Sequence, residues 1–472
     1  MDNGFNYIIY PNAEPPGKFS VRLHIAAGSL MEEEDQRGLA HFLEHMVFNG
    51  SKNFTPDELI PRMQRLGISF GAHANAYTSF DETVYMLDLP NIEEDTLELA
   101  FTVMRDFADG ALLKEDEIDK ERGVILSEKS SRDSVQMRLQ EQQFDFLMPD
   151  SLITHRFPIG TEEVISSAPR QRFIDFYTDY YIPSRITFVV VGDIDPEEFE
   201  KRTVATFESL RNPSEPGADP DMGKLPSGTG LQAAVFTDKE VGQDGLSLIF
   251  IRSYTSVPDT REERVSRLPL ALANAVMSRR FSVLAKKEGS PIASGATGRA
   301  VWFENIEFGY ADATPVEGKW REALPVLEQE VRRAREYGFT EAELTDAKAN
   351  VLTAYQQAVK RAPTRKSDGQ GGLASQFVNT INSNRVFSTP EEDLAIIEEA
   401  IASVTTEDCH TALQEFWDTE DISITLTTKE AAEEVREELL SIFRSSQAVE
   451  VSPPVAEETK AFAYTDFGEP GT

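Results

Sequence analysis

Alternation is the first regular feature of the chain. Phe19, Val21, Leu23 and Ile25 alternate with Ser20, Arg22 and His24, the period-two pattern of a strand with one face in a core. His24 is therefore expected to face outward. Residues 83 to 89 alternate in the same way, and the unbroken apolar run from Ile186 to Val191 predicts a buried strand. Leu97, Phe101, Met104 and Ala108 fall at helical spacing. Thr55-Pro56-Asp57-Glu58 supplies an N-cap, a first-turn proline and a capping-box glutamate, so a helix is expected from there through Leu59, Met63 and Leu66 to Gly67. Pro61 is expected to kink it.

Residues 211 to 232 concentrate proline, glycine and acidic residues without periodicity, as a linker does. Beyond them the order of elements repeats. Strands are expected near 246–251 and 306–310, and helices near 268–277, 320–337 and 341–359. The segment KEDEIDKERGVILSE at 114–128 also aligns without a gap on TEAELTDAKANVLTA at 340–354, which points to an internal duplication. In that register Glu121 falls on Ala347 and Glu128 on Ala354. The pattern divides the chain into a first domain at 1–210, a linker at 211–232, a homologous domain at 233–445 and a linker-like tail at 446–472.

With 472 residues the chain is longer than one core usually organises. Its 46 basic and 81 acidic side chains leave a formal charge of −35, which repels phosphate backbones and argues against nucleic acid as a partner. Basic peptides would be attracted, although such acidity mainly serves solubility. Cys409 is the only cysteine, which excludes an intramolecular disulfide and a thiolate metal cluster. No apolar run is long enough to span a bilayer, so no membrane association is expected. MDNGFNYIIY runs into strand-like sequence without a charged and apolar leader, so the expected locations are the cytoplasm or, after removal of a signal, an exported compartment.

The candidate chemistry lies in HFLEH, residues 41 to 45. On a helix His41, Glu44 and His45 project from one face. Two neutral imidazoles suit zinc, a third protein ligand would leave one position for water, and Glu44 beside that water could take its proton. The third ligand should be a carboxylate from another helix. Glu121 and Glu128 are two helical turns apart on ERGVILSE, so one can ligate while the other supports. Both are alanine in the second copy, where the stretch corresponding to HFLEH falls in LPLALANAVM and carries no ligand.

These residues resemble the M16, or insulinase-like (pitrilysin), zinc peptidases, and among them the long bacterial PqqL-like group. The likeness runs through GLAHFLEHMVFNGSKNF, FGAHANAYTSFDETVYMLDLP, ERGVILSE, HRFPIG and FYTDYYIPSRITFVVVGD, nearly all of the first domain. It implies an α+β fold of two homologous α/β-sandwich domains, each a mostly antiparallel sheet packed with helices. It also implies a Zn2+-dependent endopeptidase with His41, His45 and Glu128 as ligands, Glu44 as general base and Glu121 in support. Asn75, Ala76 and Tyr77 would form an edge strand on which a peptide or small-protein substrate lies as an added strand. His73 beside them is taken as structural. Members of this kind enclose a chamber between two halves, so the partner would be the C-terminal half of a longer chain or a homodimer mate. The compartment would be the periplasm. A non-catalytic scaffold subunit is the rival reading, as is a half-enzyme that binds zinc but cleaves poorly alone.

Overall fold

The computed structural model describes residues 1–454. Strands β1 (Asn6–Pro11), β2 (Phe19–Ile25), β3 (Ala74–Thr78), β4 (Thr83–Leu89) and β5 (Ile186–Gly192) form one sheet in the order β1-β5-β2-β4-β3. A second sheet uses β6 (Gln232–Thr237), β7 (Gly245–Ser253), β8 (Ile292–Trp302), β9 (Ile306–Pro315) and β10 (Ser423–Thr428) in the order β6-β10-β7-β9-β8. In each sheet the first and last strands pair parallel and all other pairs are antiparallel. The two sheets share one topology, so the fold is α+β and duplicated.

The helices of the first half are α1 (Leu39–Met46), α2 (Leu59–Arg65), α3 (Glu94–Asp109), α4 (Glu115–Arg132), α5 (Val135–Leu147), α6 (Glu162–Ser167), α7 (Arg170–Tyr180) and α8 (Pro196–Phe207). Those of the second are α9 (Arg261–Ser266), α10 (Leu268–Ala285), α11 (Trp320–Tyr337), α12 (Glu341–Arg361), α13 (Leu373–Asn382), α14 (Pro390–Ile401), α15 (Thr406–Phe416) and α16 (Val435–Gln447). Between Phe207 and Gln232 there is neither helix nor strand. Each half has its own core, built around Val21, Leu23, Phe42, Phe101 and Phe188 in the first and Leu248, Phe250, Leu272, Leu327 and Trp417 in the second. A third cluster joins them, with Leu30, Phe144 and Met148 of the first half against Ile251, Ile306 and Phe308 of the second.

Two expectations need correction. His24 does not face outward to water. It is 2% exposed, because the face of the first sheet opposite its own helices is covered by α13 of the second half. Phe377 and Val378 pack there on Val84, Val189 and Val191, and the neighbouring Ser367 N–H donates to the Glu14 carbonyl at 2.7 Å. A strand that reads as half-buried is thus buried on both faces by a segment more than 300 residues away. Pro61 produces no kink, because α2 begins only at Leu59. A proline in the first turn needs no N–H partner, and an earlier start would set its ring against the carbonyl of residue 57. Thr55 and Glu58 still pair, the Thr55 N–H donating to Glu58 Oε2 at 3.0 Å. The expected tail at 446–472 begins inside α16, which runs to Gln447, and from residue 455 onward it lies outside the described residues.

Candidate metal centre

Helix α1 owes its place to its composition. Leu39, Ala40, Phe42, Leu43 and Met46 are buried, and Phe42 meets Phe173 of α7 edge to face at 4.9 Å. A short helix so apolar on most sides is held in the core rather than on the surface. Its remaining stripe carries His41, Glu44 and His45. His41 is 3% exposed and Glu44 is also buried.

Helix α4 meets this stripe. Its only fully buried residues are Ile118 and Ile125, seven apart, and Glu121 and Glu128 each follow one of them by three positions. The inward row of α4 therefore reads Ile118, Glu121, Ile125, Glu128 at heptad spacing. Carboxylates at two core-facing positions are costly unless they are paired.

Both are paired with the histidines. Glu128 Oε2 lies 3.3 Å from His45 Nε2 and 3.7 Å from His41 Nε2. His41, His45 and Glu128 form the one group of ligand-type side chains among the described residues with its donor atoms mutually within 4.8 Å. Ligands at the usual bond lengths of a tetrahedral zinc lie about 3.4 Å from one another, so these three fit the ion with small adjustments. Glu121 instead takes the other ring nitrogen. His45 Nδ1 and Glu121 Oε1 are 2.9 Å apart, which places the proton on Nδ1 and leaves the Nε2 lone pair directed toward Glu128. Asn49 Nδ2 donates to Glu121 Oε2 at 2.9 Å and Arg132 is paired with Glu128 Oε1.

The electrostatics agree with this arrangement at His41, whereas at His45 they favour the protonated ring, whose Nε2 proton a bound metal would displace. Burial, with His45 and Arg132 adding to it, brings the His41 pKa down to about 3, so its imidazole is neutral and able to ligate. For His45 burial acts downward, but the Glu121 hydrogen bond and the carboxylates of Glu44, Glu128 and Glu121 outweigh it and the net shift is up. The hydrogen bond to His45 lowers Glu121. Burial raises Glu44, opposed by the hydroxyl of Thr78, which donates to Glu44 Oε2 at 2.8 Å.

Thr78 belongs to β3, the edge strand beside α1. Asn75, Ala76 and Tyr77 lie on this strand, whose other side has no neighbour within the sheet. The Ala76 N–H turns to that open side and is satisfied locally by Asn75 Oδ1 at 2.9 Å. Tyr77 points to the opposite face, where its hydroxyl donates to Glu82 Oε1 at 3.0 Å, and its backbone, opposite Val84, turns toward β4 and away from the open edge. His73 accepts the Ser69 N–H at 3.1 Å in the preceding turn. Sequence reasoning missed Asn49, Thr78 and Arg132. Asn49 and Arg132 follow His45 and Glu128 by one helical turn, which is the only sequence signal they carry.

A family profile described as insulinase (peptidase family M16) matches residues 7–158, and one described as the peptidase M16 inactive domain matches residues 167–351. The chain belongs to the insulinase, or M16, peptidase family. Its M16 relatives include the probable zinc protease PqqL of Escherichia coli, 28% identical over 393 residues, which are 83% of this chain and 42% of that protein. The probable zinc protease PqqL of Haemophilus influenzae is 36% identical over 43% of this chain and 22% of that protein. The chain thus spans less than half the length of these relatives. Among solved structures, the first half of the periplasmic protease PqqL from E. coli superposes with a TM-score of 0.88 at 24% identity, covering 96% of this chain and 97% of that one. The fold is therefore the M16 fold. No helix among the described residues is long and apolar enough to cross a membrane.

Proposed function

We propose that the chain is the zinc-binding half of an endopeptidase that hydrolyses peptides or small unfolded proteins. The observation that carries this reading is the convergence of His41 Nε2 and His45 Nε2 on Glu128 Oε2, beside a buried glutamate and an open strand edge. His41, His45 and Glu128 would hold the ion, and Glu121 fixes the ring of His45. Zinc bound there would polarise a scissile carbonyl and make the attacking water more acidic. Glu44 takes the proton of that water and returns it to the leaving amine. A substrate adds to β3 as a further strand, using the backbone of Ala76 and displacing the Asn75 side chain from the Ala76 N–H, so that Asn75 becomes free to bond the substrate backbone.

That the chain is one half of such an enzyme is supported by its likeness to the E. coli PqqL structure, a match that covers 99% of this chain and 51% of that one. The missing wall of a chamber would come from a C-terminal half or from a second copy of the chain. That relative is a periplasmic protease, which supports an exported location.

A quenched-peptide assay with zinc analysis on wild type and Glu44→Gln tests the proposal. Turnover is expected in wild type and should fall about a thousandfold in the variant with zinc retained. Stoichiometric zinc with no wild-type turnover would favour the half-enzyme, and no zinc at neutral pH would contradict the metalloenzyme.

A further inference from the structure

The turn leading into α1 contains a buried acid that the chemistry above does not use. Glu32 is 4% exposed, and each of its oxygens accepts a backbone N–H, Oε2 from Gly38 at 2.9 Å and Oε1 from Ala40 at 2.8 Å. These N–H groups belong to the cap and first turn of α1, where no preceding carbonyl can accept them. A side chain at the cap position normally does so. Gly38, left-handed at φ 103°, has none, and the carboxyl group of Glu32, six residues upstream, takes over. The next residue after Ala40 is His41.

Glu32 is itself held in place. The buried Arg156 donates from Nε to the Glu32 carbonyl at 3.0 Å and from Nη2 to Glu34 Oε1 at 2.8 Å, while Ser29 Oγ donates to the Arg156 carbonyl. A few residues on, Gly160 lies against Gly38 so closely that a Cβ on it would sit 2.3 Å from the Gly38 Cα. The Gly160 carbonyl accepts Lys129 Nζ at 2.8 Å, and Lys129 is the neighbour of Glu128 on α4. Residues 156–160 therefore touch both the start of the histidine helix and the helix that carries Glu128.

We infer that Glu32 is a positioning residue for the metal centre, holding the first turn of α1 so that His41 and His45 meet Glu128. The inference rests on the zinc reading above. In Glu32→Gln the amide nitrogen faces one of the two N–H groups with hydrogens of its own, and in Glu32→Asp the shorter arm reaches only one of them. Both variants are compared with wild type by zinc affinity in chelator competition, by the visible spectrum of the cobalt-substituted protein, and by kcat and KM on a quenched peptide. Glu32→Gln is expected to bind zinc about tenfold more weakly, with an altered cobalt spectrum and a lower kcat at nearly unchanged KM. Zinc affinity and cobalt spectrum both matching wild type in a folded Glu32→Gln would overturn the inference. If that variant does not fold, the same readings on Glu32→Asp decide. Wild type without zinc would overturn both readings, whereas wild-type zinc with indifferent variants overturns this one alone.

Discussion

Helices α4 and α12 occupy the same place in the two halves and begin alike. Ile118 and Leu344 are both buried at the head of the inward row. Arg122 of α4 donates to the carbonyls of Ile165 and Ala168 at 2.6 and 2.8 Å, and Lys348, its counterpart in the 226-residue register, donates to those of Ala402 and Val404. Both cations tie their helix to the end of the helix or turn beside it. The difference lies in the row facing the neighbouring helix, α1 in the first half and α10 in the second. Ile118, Glu121, Ile125 and Glu128 in α4 become Leu344, Ala347, Val351 and Ala354 in α12. The second half then holds its helix pair by apolar packing, Leu272 and Val276 of α10 sharing a core with Leu344 and Ala347 of α12, and by Arg280 of α10, bonded to Glu343 of α12 at 2.6 and 2.9 Å and to the buried Glu330 at 3.3 Å. Two acids on a core-facing row thus mark the half proposed to carry the chemistry, and the other half has alanines in their place.

That contrast predicts separable losses. Arg280→Ala leaves Glu343 without its cation and Glu330 with Arg333 alone and should lower stability by about 3 kcal/mol in denaturant unfolding, with zinc content unchanged; a loss of zinc would show that the halves are not functionally distinct. Glu121→Gln removes the carboxylate behind His45 and should weaken zinc binding about tenfold by chelator competition, with stability little affected. The shared anchor should behave alike in both halves: Arg122→Ala and Lys348→Ala are each expected to cost about 1 to 2 kcal/mol, and a large cost for only one would break the equivalence.

A further prediction concerns pH. Burial pushes the Glu32 carboxyl up to about 8 from the 4.5 of an unperturbed glutamate, against the N–H groups of Ala40 and Gly38 and the charges of Arg156 and Arg37. A raised folded pKa means that the folded state binds more protons across this window, so its contribution to stability is complete below 4.5 and is lost as pH rises through 8. Stability measured between these limits should fall less steeply in Glu32→Gln than in wild type, and equal slopes would remove Glu32 as the source.

Much of this was legible in the sequence for a physical reason. Strands β2, β4 and β5 and helices α3, α11 and α12 carry strong local periodicity, and HFLEH declares its face by spacing alone. Glu121 and Glu128 became readable through the duplicated register, which exposed acids where the copy has alanine. What stayed hidden depends on distant chain. The burial of His24 requires α13, and the holding of Glu44 by Thr78 requires an edge strand laid beside α1. The cap on α1 comes from Glu32, whose partners are backbone N–H groups and leave no trace in side-chain pattern. The start of α2 was misread because Thr55 to Glu58 pair as a capping box does, one turn ahead of the helix that Pro61 permits.

The central claim is that one half holds a single zinc ion and that Glu128 completes its ligand set. Equilibrium dialysis against zinc at neutral pH, followed by metal analysis of wild type, Glu128→Gln and Glu121→Gln, tests it most directly. One zinc per chain is predicted for wild type, loss of the ion from Glu128→Gln, and weakened but measurable binding for Glu121→Gln. No zinc in wild type, or a greater loss from Glu121→Gln than from Glu128→Gln, would contradict the account.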